Sequence, residues 1–339
     1  MDLIRLGWNE FFKKESTGSN TFYGRISVEH KSLYKIFTEF GEMKAVVTGK
    51  MKFNSQSSVD LPVVGDWVVF TKENDLAVIQ EVLPRKSKFS RKVAGIETSE
   101  QIVASNIDHL FIVTSLNQDL NLRRLERYLT LAWDGGANPV IILSKADLAD
   151  DLDEIITQVE TVAWGVPIHV TSSLDDIGFD ELGEYFEGNK TIAVLGSSGV
   201  GKSTLINKLL GNEVLKVSEI GEYKDKGKHT TTHRELLLLP KGGIIIDTPG
   251  MREIQIWEGS EGLEKTFADV EEFAMNCKFS DCKHESEPNC GINEALRNGN
   301  LDEARLKSYK KLQREIAYQE RKQNEGLHKN SKNRWKGIC

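Results

Sequence analysis

The chain has 339 residues, 39% of them hydrophobic, and a formal net charge of −7, enough for two or three domains with cores of their own. No stretch reaches the ~18 consecutive apolar residues of a membrane-spanning helix. Met1-Asp2-Leu3-Ile4-Arg5 lacks the apolar core and cleavage site of a secretory signal, so a cytoplasmic protein with no membrane partner is expected.

After an extension over residues 1–20, strand-like runs begin. They are Phe22–Val28, Ser32–Phe37, Ala45–Phe53, Val63–Phe70 and Leu76–Val82. Five such segments in a short span suit a small closed β-barrel of the OB type, and such barrels present basic and aromatic residues to nucleic acid. Arg85-Lys86-Ser87-Lys88-Phe89-Ser90-Arg91-Lys92 follows. This basic stretch reads equally as an RNA contact or as a solvated linker.

Val140-Ile141-Ile142-Leu143 is a buried strand that runs into Ser144-Lys145-Ala146-Asp147. These four residues resemble the guanine-specificity tetrad of GTPases, Asn-Lys-x-Asp. The Asp147 carboxylate matches the paired N1–H and N2–H donors of guanine, and adenine has no such pair. Ser144 stands where the usual Asn would support the base and the phosphate loop, so weaker nucleotide affinity is expected. Thr171-Ser172-Ser173 is then expected to back the base, with Ser172 in contact.

The strand Thr191–Leu195 leads into Gly196-Ser197-Ser198-Gly199-Val200-Gly201-Lys202-Ser203, and Thr204 opens the helical pattern through Leu210. Strand, glycine-rich loop and helix together make a phosphate-binding loop. Its backbone N–H groups and the helix N-terminus attract phosphate oxygens. Lys202 would reach the outer phosphates and Ser203 would ligate Mg²⁺. Further on, Gly227-Lys228-His229-Thr230-Thr231-Thr232-His233 is the expected switch segment, with Thr231 as a second Mg²⁺ ligand. Asp247-Thr248-Pro249-Gly250 ends the strand Gly243–Ile246. Asp247 would face the Mg²⁺ shell through water, and the Gly250 N–H would meet the γ-phosphate. Met251 occupies the place where many GTPases carry a water-positioning Gln. His229 is the best candidate in the chain for the missing catalytic group.

Three of the four cysteines, Cys277, Cys282 and Cys290, combine with His284 as Cys-x₄-Cys-x-His-x₅-Cys. Disulfides are the rival reading, but clustered thiols plus His without a signal peptide favour one structural Zn²⁺. Cys339 is a bystander. From Leu301 to Gln319 the pattern is helical, with Leu306, Tyr309, Leu312, Ile316 and Ala317 near one face. Beyond Gln323 the polar segment is expected to fray. Arg305–Lys336 carries a local charge of +8, which leaves −15 for the rest. Such a basic helix and tail is a foothold on phosphate backbones.

The order of motifs is unusual. The guanine tetrad precedes the phosphate loop, the switch and Asp247–Gly250, whereas ordinary GTPases begin with the loop. Domain ends can be moved in this way when they lie close together on the surface. The permuted order resembles the ribosome-small-subunit-dependent GTPase family, over about Thr21 to Tyr318. The resemblance implies an α/β P-loop GTPase fold, circularly permuted, with an N-terminal OB-fold and a C-terminal zinc-binding, mostly helical domain. The boundaries expected on this basis are 1–20, 21–92, 93–256 and 257–339. It also implies GTP hydrolysis to GDP and phosphate, stimulated by the small ribosomal subunit and its ribosomal RNA, in late subunit assembly. A monomer is expected. His at the position matching His229 belongs to the family pattern. The alternative is a low-turnover, guanine-nucleotide-regulated RNA-binding switch, to which Met251 lends weight.

Overall fold

The computed structural model describes residues 1–12, 21–30, 33–55, 57–92, 100–117, 120–211, 234–247 and 260–336. Two compact units divide the chain. The first takes residues 1–120, 135–156 and 166–255, and the second takes 121–134, 157–165 and 256–339.

The first unit opens with a barrel. Strands β1 (Phe22–His30), β2 (Leu33–Thr38), β3 (Gly41–Val47), β4 (Trp67–Glu73) and β5 (Leu76–Val82) pair in the order β1-β2-β3-β5-β4, and β1 closes on β4. This closure leaves no free edge between first and last strands. The expected strand over Ala45–Phe53 is in fact two elements. β3 stops at Val47, and helix α1 (Gly49–Asn54) begins behind Thr48, whose hydroxyl accepts the Met51 N–H at 3.1 Å. A Thr in that role ends a strand and caps a helix at once. The first twelve residues also pack against the barrel. Trp8 meets Tyr23 and Trp67 with ring centroids 4.6 and 4.8 Å apart, and Leu6 and Phe12 are buried with Trp67 and Leu83.

Three basic side chains of the stretch after β5 are paired with acids. Arg85 grips Asp66 in a forked contact at 2.7 and 2.8 Å, Lys86 pairs with Asp108 at 2.6 Å, and Lys88 lies 3.5 Å from Glu100. Its second half forms β6 (Lys88–Lys92), antiparallel to β7 (Glu100–Ser105).

Strands β8 (His109–Ser115), β9 (Asn138–Ser144), β10 (Ile168–Thr171), β11 (Thr191–Gly196) and β13 (Ile244–Asp247) form a parallel sheet in the order β10-β9-β8-β11-β13. Antiparallel β12 (Glu235–Leu238) follows β13 and touches β1 through Val28 and Glu235, which makes one eleven-stranded sheet. The near-continuous apolar runs in β8, β9 and β11 reflect burial on both faces. A core of Phe111, Val194, Val200, Ile206, Phe186 and Ile245 packs the sheet against α4 (Lys202–Leu210) and the segment near Phe186. Helix α3 (Leu152–Glu160) also begins in this unit.

Arg25 lies at the seam of barrel and parallel sheet and is 1% exposed. Its guanidinium donates to the carbonyls of Leu6 (2.6 Å), Gly65 (3.2 Å) and Asn106 (3.1 Å) and to the Thr191 hydroxyl (2.8 Å). Burial draws its pKa down to about 10, so it stays a cation near neutrality.

The second unit is helical: α2 (Leu122–Asp134), α5 (Ser260–Thr266), α6 (Ala268–Met275), α7 (Gly291–Arg297) and α8 (Glu303–Lys336). Buried Arg305 on α8 holds Asp269 through two bonds of 2.6 and 2.7 Å and Glu126 at 3.0 Å, which ties α8 to α6 and α2. The helix continues past Gln323, where fraying was expected, and runs to Lys336. Its Lys, Arg and Glu residues are good helix formers, although they are interspersed with Asn, Ser and Gly. No helix among the described residues is long and apolar enough to cross a membrane.

Candidate nucleotide site and metal centre

The carboxyl ends of the parallel strands gather the predicted motifs. In the register of β8 with its neighbours, Val113 stands opposite Gly196 and Ser115 opposite Ser144. The loop after β11 and the tetrad after β9 therefore emerge on the same edge, where open α/β sheets bind ligands. Asp247 ends β13, the parallel neighbour of β11, and so reaches that edge as well.

Glycine is required where the loop turns. A Cβ on Gly196 would lie 2.3 Å from the Val113 carbonyl oxygen. Gly199 (φ 76°) and Gly201 (φ 94°) adopt left-handed backbone, and Gly201 caps α4. Ser197, Ser198 and Gly199 face solvent or lie half-buried, while Val200 is anchored in the core. Lys202 Nζ donates to the loop carbonyls of Gly196 (2.9 Å) and Ser197 (2.5 Å). The ammonium intended for phosphate thus spans its own loop. Ser203 and Thr204 are half-buried in the first turn of α4.

The tetrad is tied to this loop by two side chains. Ser144 Oγ donates to the Val200 carbonyl at 2.7 Å, with the Thr114 carbonyl 3.3 Å away. The support expected to be missing with Asn is therefore present in part. A hydroxyl has one proton where an amide has two, so the loop contact leaves Ser144 no donor for a base. Lys145 reaches the Gly199 carbonyl at 2.7 Å from a left-handed backbone (φ 58°), a conformation that costs a non-glycine residue energy and gathers at functional sites. Ala146 begins the short 3₁₀ turn that projects Asp147 outward, and the Ser172 hydroxyl lies 2.9 Å from Asp147 Oδ1.

Ser144, Lys145, Asp147, Gly201 and Thr204 line one cavity of about 470 Å³, within the size range of ligand pockets. Asn117, Leu174 and Phe179 also line it and were missed in the sequence. Asn117 follows β8 and could have been flagged as a residue at the carboxyl end of a strand. Leu174 and Phe179 carry no pattern that sets them apart from packing residues. His229, Thr230 to Thr232, Gly250, Met251 and Cys339 lie outside the described residues.

The second site is a Cys₃His cluster. The ligand atoms of Cys277, Cys282, His284 and Cys290 all lie within 4.8 Å of one another. Cys277 Sγ is 3.8 Å from Cys290 Sγ, and His284 Nδ1 is 3.5 Å from both. A tetrahedron with Zn–S of about 2.3 Å and Zn–N of about 2.0–2.1 Å has S···S edges of about 3.8 Å and S···N edges of about 3.5 Å. Cys277, His284 and Cys290 match these edges, Cys282 lies within the same cluster, and the donor chemistry fits zinc. Burial, with Lys310 nearby, holds the His284 imidazole below its usual range and favours the neutral, ligating form. Cys290 caps α7, its sulfur accepting the Asn293 N–H at 3.5 Å. The loop is braced by Glu287, which accepts backbone N–H groups from Lys283, Glu285 and Ser286 at 2.8–3.0 Å.

A profile of the RsgA GTPase family matches residues 82–257. The chain belongs to that family. It is 47% identical, over 97% of this chain and 97% of that protein, to small ribosomal subunit biogenesis GTPase RsgA 1 of Oceanobacillus iheyensis. Among solved structures, YjeQ from Thermotoga maritima superimposes with a TM-score of 0.66 at 29% identity, covering 88% of this chain and 99% of that one. YloQ, described as a circularly permuted GTPase, gives 0.61 at 25% identity over 90% and 98%. The chain is thus a GTPase with a permuted α/β core, an N-terminal barrel and a C-terminal helical region whose Cys₃His cluster can hold a metal ion.

Proposed function

We propose that the chain hydrolyses GTP to GDP and phosphate and couples that turnover to late maturation of the small ribosomal subunit. The observation that carries this reading is the bonding of Ser144 and Lys145 to the carbonyls of Val200 and Gly199. It supports reading these residues as a guanine tetrad beside a phosphate loop, in a chain whose relatives are named small ribosomal subunit biogenesis GTPases.

In this reading Asp147 reads guanine, and the residues from Gly196 to Thr204 cradle the phosphates. Ser203 and Thr231 would hold Mg²⁺, and Asp247 would act on it through water. When bound, the ion neutralises charge on the outer phosphates. The Gly250 N–H would meet the γ-phosphate, and His229 would orient the attacking water. Zn²⁺ in the Cys₃His cluster is structural. The barrel (21–92) and the basic helix of the last domain (257–339) bind ribosomal RNA, and residues 93–256 form the G domain. The protein acts as a cytoplasmic monomer.

Phosphate release from GTP and ATP, measured with and without purified small subunits, tests the proposal. Preference for GTP and a strong rise on adding subunits are expected. Slow turnover that subunits leave unchanged would instead support the low-turnover RNA-binding switch, which the Met251 side chain favours because it cannot hold a water.

A further inference from the structure

Ser172 follows strand β10 and is 1% exposed. Its Oγ lies 2.9 Å from Asp147 Oδ1 and 2.8 Å from Asp175 Oδ2, and it accepts the Asp175 N–H at 3.2 Å. A serine hydroxyl carries one proton. It can therefore satisfy one of these carboxylates, and the other then meets a lone pair of Oγ at hydrogen-bond distance.

The turn that carries Asp175 holds this competition in place. Ser172 and Ile177 exchange backbone hydrogen bonds of 3.0 and 3.2 Å. Gly178 sits at φ 81°, where a Cβ would lie only 1.9 Å from the Val170 carbonyl oxygen. The neighbouring Asp176 is held by Lys208 at 2.7 Å. Asp175 is thus fixed beside Ser172 by backbone contacts on both sides.

We infer that Asp175 is a positioning residue that lowers affinity for guanine nucleotides by drawing the Ser172 proton away from Asp147. Asp147 must offer both oxygens to the N1–H and N2–H edge of guanine, and the Ser172 hydrogen bond is what orients its carboxylate from behind. Each time the proton turns to Asp175, that orientation is lost. The inference rests on the reading of Asp147 as the guanine-recognising group.

Asp175→Asn keeps the shape but adds an amide donor toward Oγ, so Ser172 donates to Asp147 alone. Titration of the full chain with fluorescent GDP and ADP is the test. GDP affinity should rise about five- to tenfold, the net scale of one ordinary hydrogen bond, and ADP affinity should not move. Asp175→Ala should change GDP binding in the same direction. In a Ser172→Ala background, Asp175→Asn should have no effect. An unchanged or weakened GDP affinity, equal changes for GDP and ADP, or the same gain without the Ser172 hydroxyl would each overturn the inference. A chain that binds ADP as well as GDP before any substitution would overturn the Asp147 reading itself.

Discussion

Ser144 and Asp147 divide the labour of the tetrad according to how many protons each brings. Ser144 spends its one proton on the Val200 carbonyl, so it steadies the phosphate loop. Ser144→Ala would leave that carbonyl without its side-chain donor and should weaken GDP binding by about 1 kcal/mol, the usual net worth of one hydrogen bond. Calorimetric titration at fixed Mg²⁺ checks this, and unchanged affinity would mean that the loop holds its shape unaided. Asp147 brings no proton and two acceptors. Asp147→Asn should weaken GTP binding sharply and shift preference to xanthosine nucleotides, whose C2 oxygen needs a donor. A competition assay among guanosine, xanthosine and adenosine triphosphates reads that preference directly.

At the scale of elements, two polar knots hold the backbone, one across distant segments and one within a single loop. Arg25, on β1, gathers the N-terminal segment, the turn before β4, the residue after β7 and the start of β11 through four hydrogen bonds. Arg25→Met should cost about 3 kcal/mol or more, because several buried acceptors lose their donor together. Urea unfolding followed by tryptophan fluorescence would show the shift in midpoint. The metal loop has its own knot in Glu287, whose carboxyl is held down to about 2 by the N–H groups of Glu285 and Lys283. A depressed carboxyl contributes stability that is present above its ordinary unfolded value and fades as pH falls through about 2. Acid should therefore strip metal by protonating the cysteines and His284 well before this brace lets go. Neither knot was legible beforehand: a buried Arg inside a strand-like run looks solvated until its partners arrive from distant parts of the chain, and a Glu in a charged loop looks solvated until the loop turns its N–H groups inward. The strand-loop-helix of the phosphate site, the tetrad and the cysteine spacing were legible because each is local, with its chemistry and its backbone shape within a dozen or so residues.

For the whole molecule, the division into two compact units separates the chemistry of the two sites. The phosphate loop and tetrad belong to the unit that contains residues 135–156 and 166–255, and the Cys₃His cluster belongs to the unit that contains 256–339. Motif order made the permutation readable from sequence. The grouping of α2 with the C-terminal helices was not, because it depends on Arg305 reaching Glu126 across 179 positions. Structural zinc sites supply folding free energy to the domain that holds them. Cys282→Ser removes one of four ligands, and Gly291→Ala would set a Cβ 2.3 Å from the Phe273 carbonyl oxygen, at the junction of α6 and α7. Both variants should lose their zinc on purification, which elemental analysis measures against one metal per chain in the unmodified protein. Helical signal in the second unit should fall and proteolysis within 277–297 should speed up. GDP affinity should remain within about twofold, since no ligand of the metal lines the nucleotide cavity. Turnover stimulated by small subunits should be lost if the helical region is one of the two footholds on ribosomal RNA. Unmodified protein that contains no zinc after reducing purification would overturn the metal assignment. A zinc-free variant that still responds fully to subunits would leave the barrel as the sole foothold.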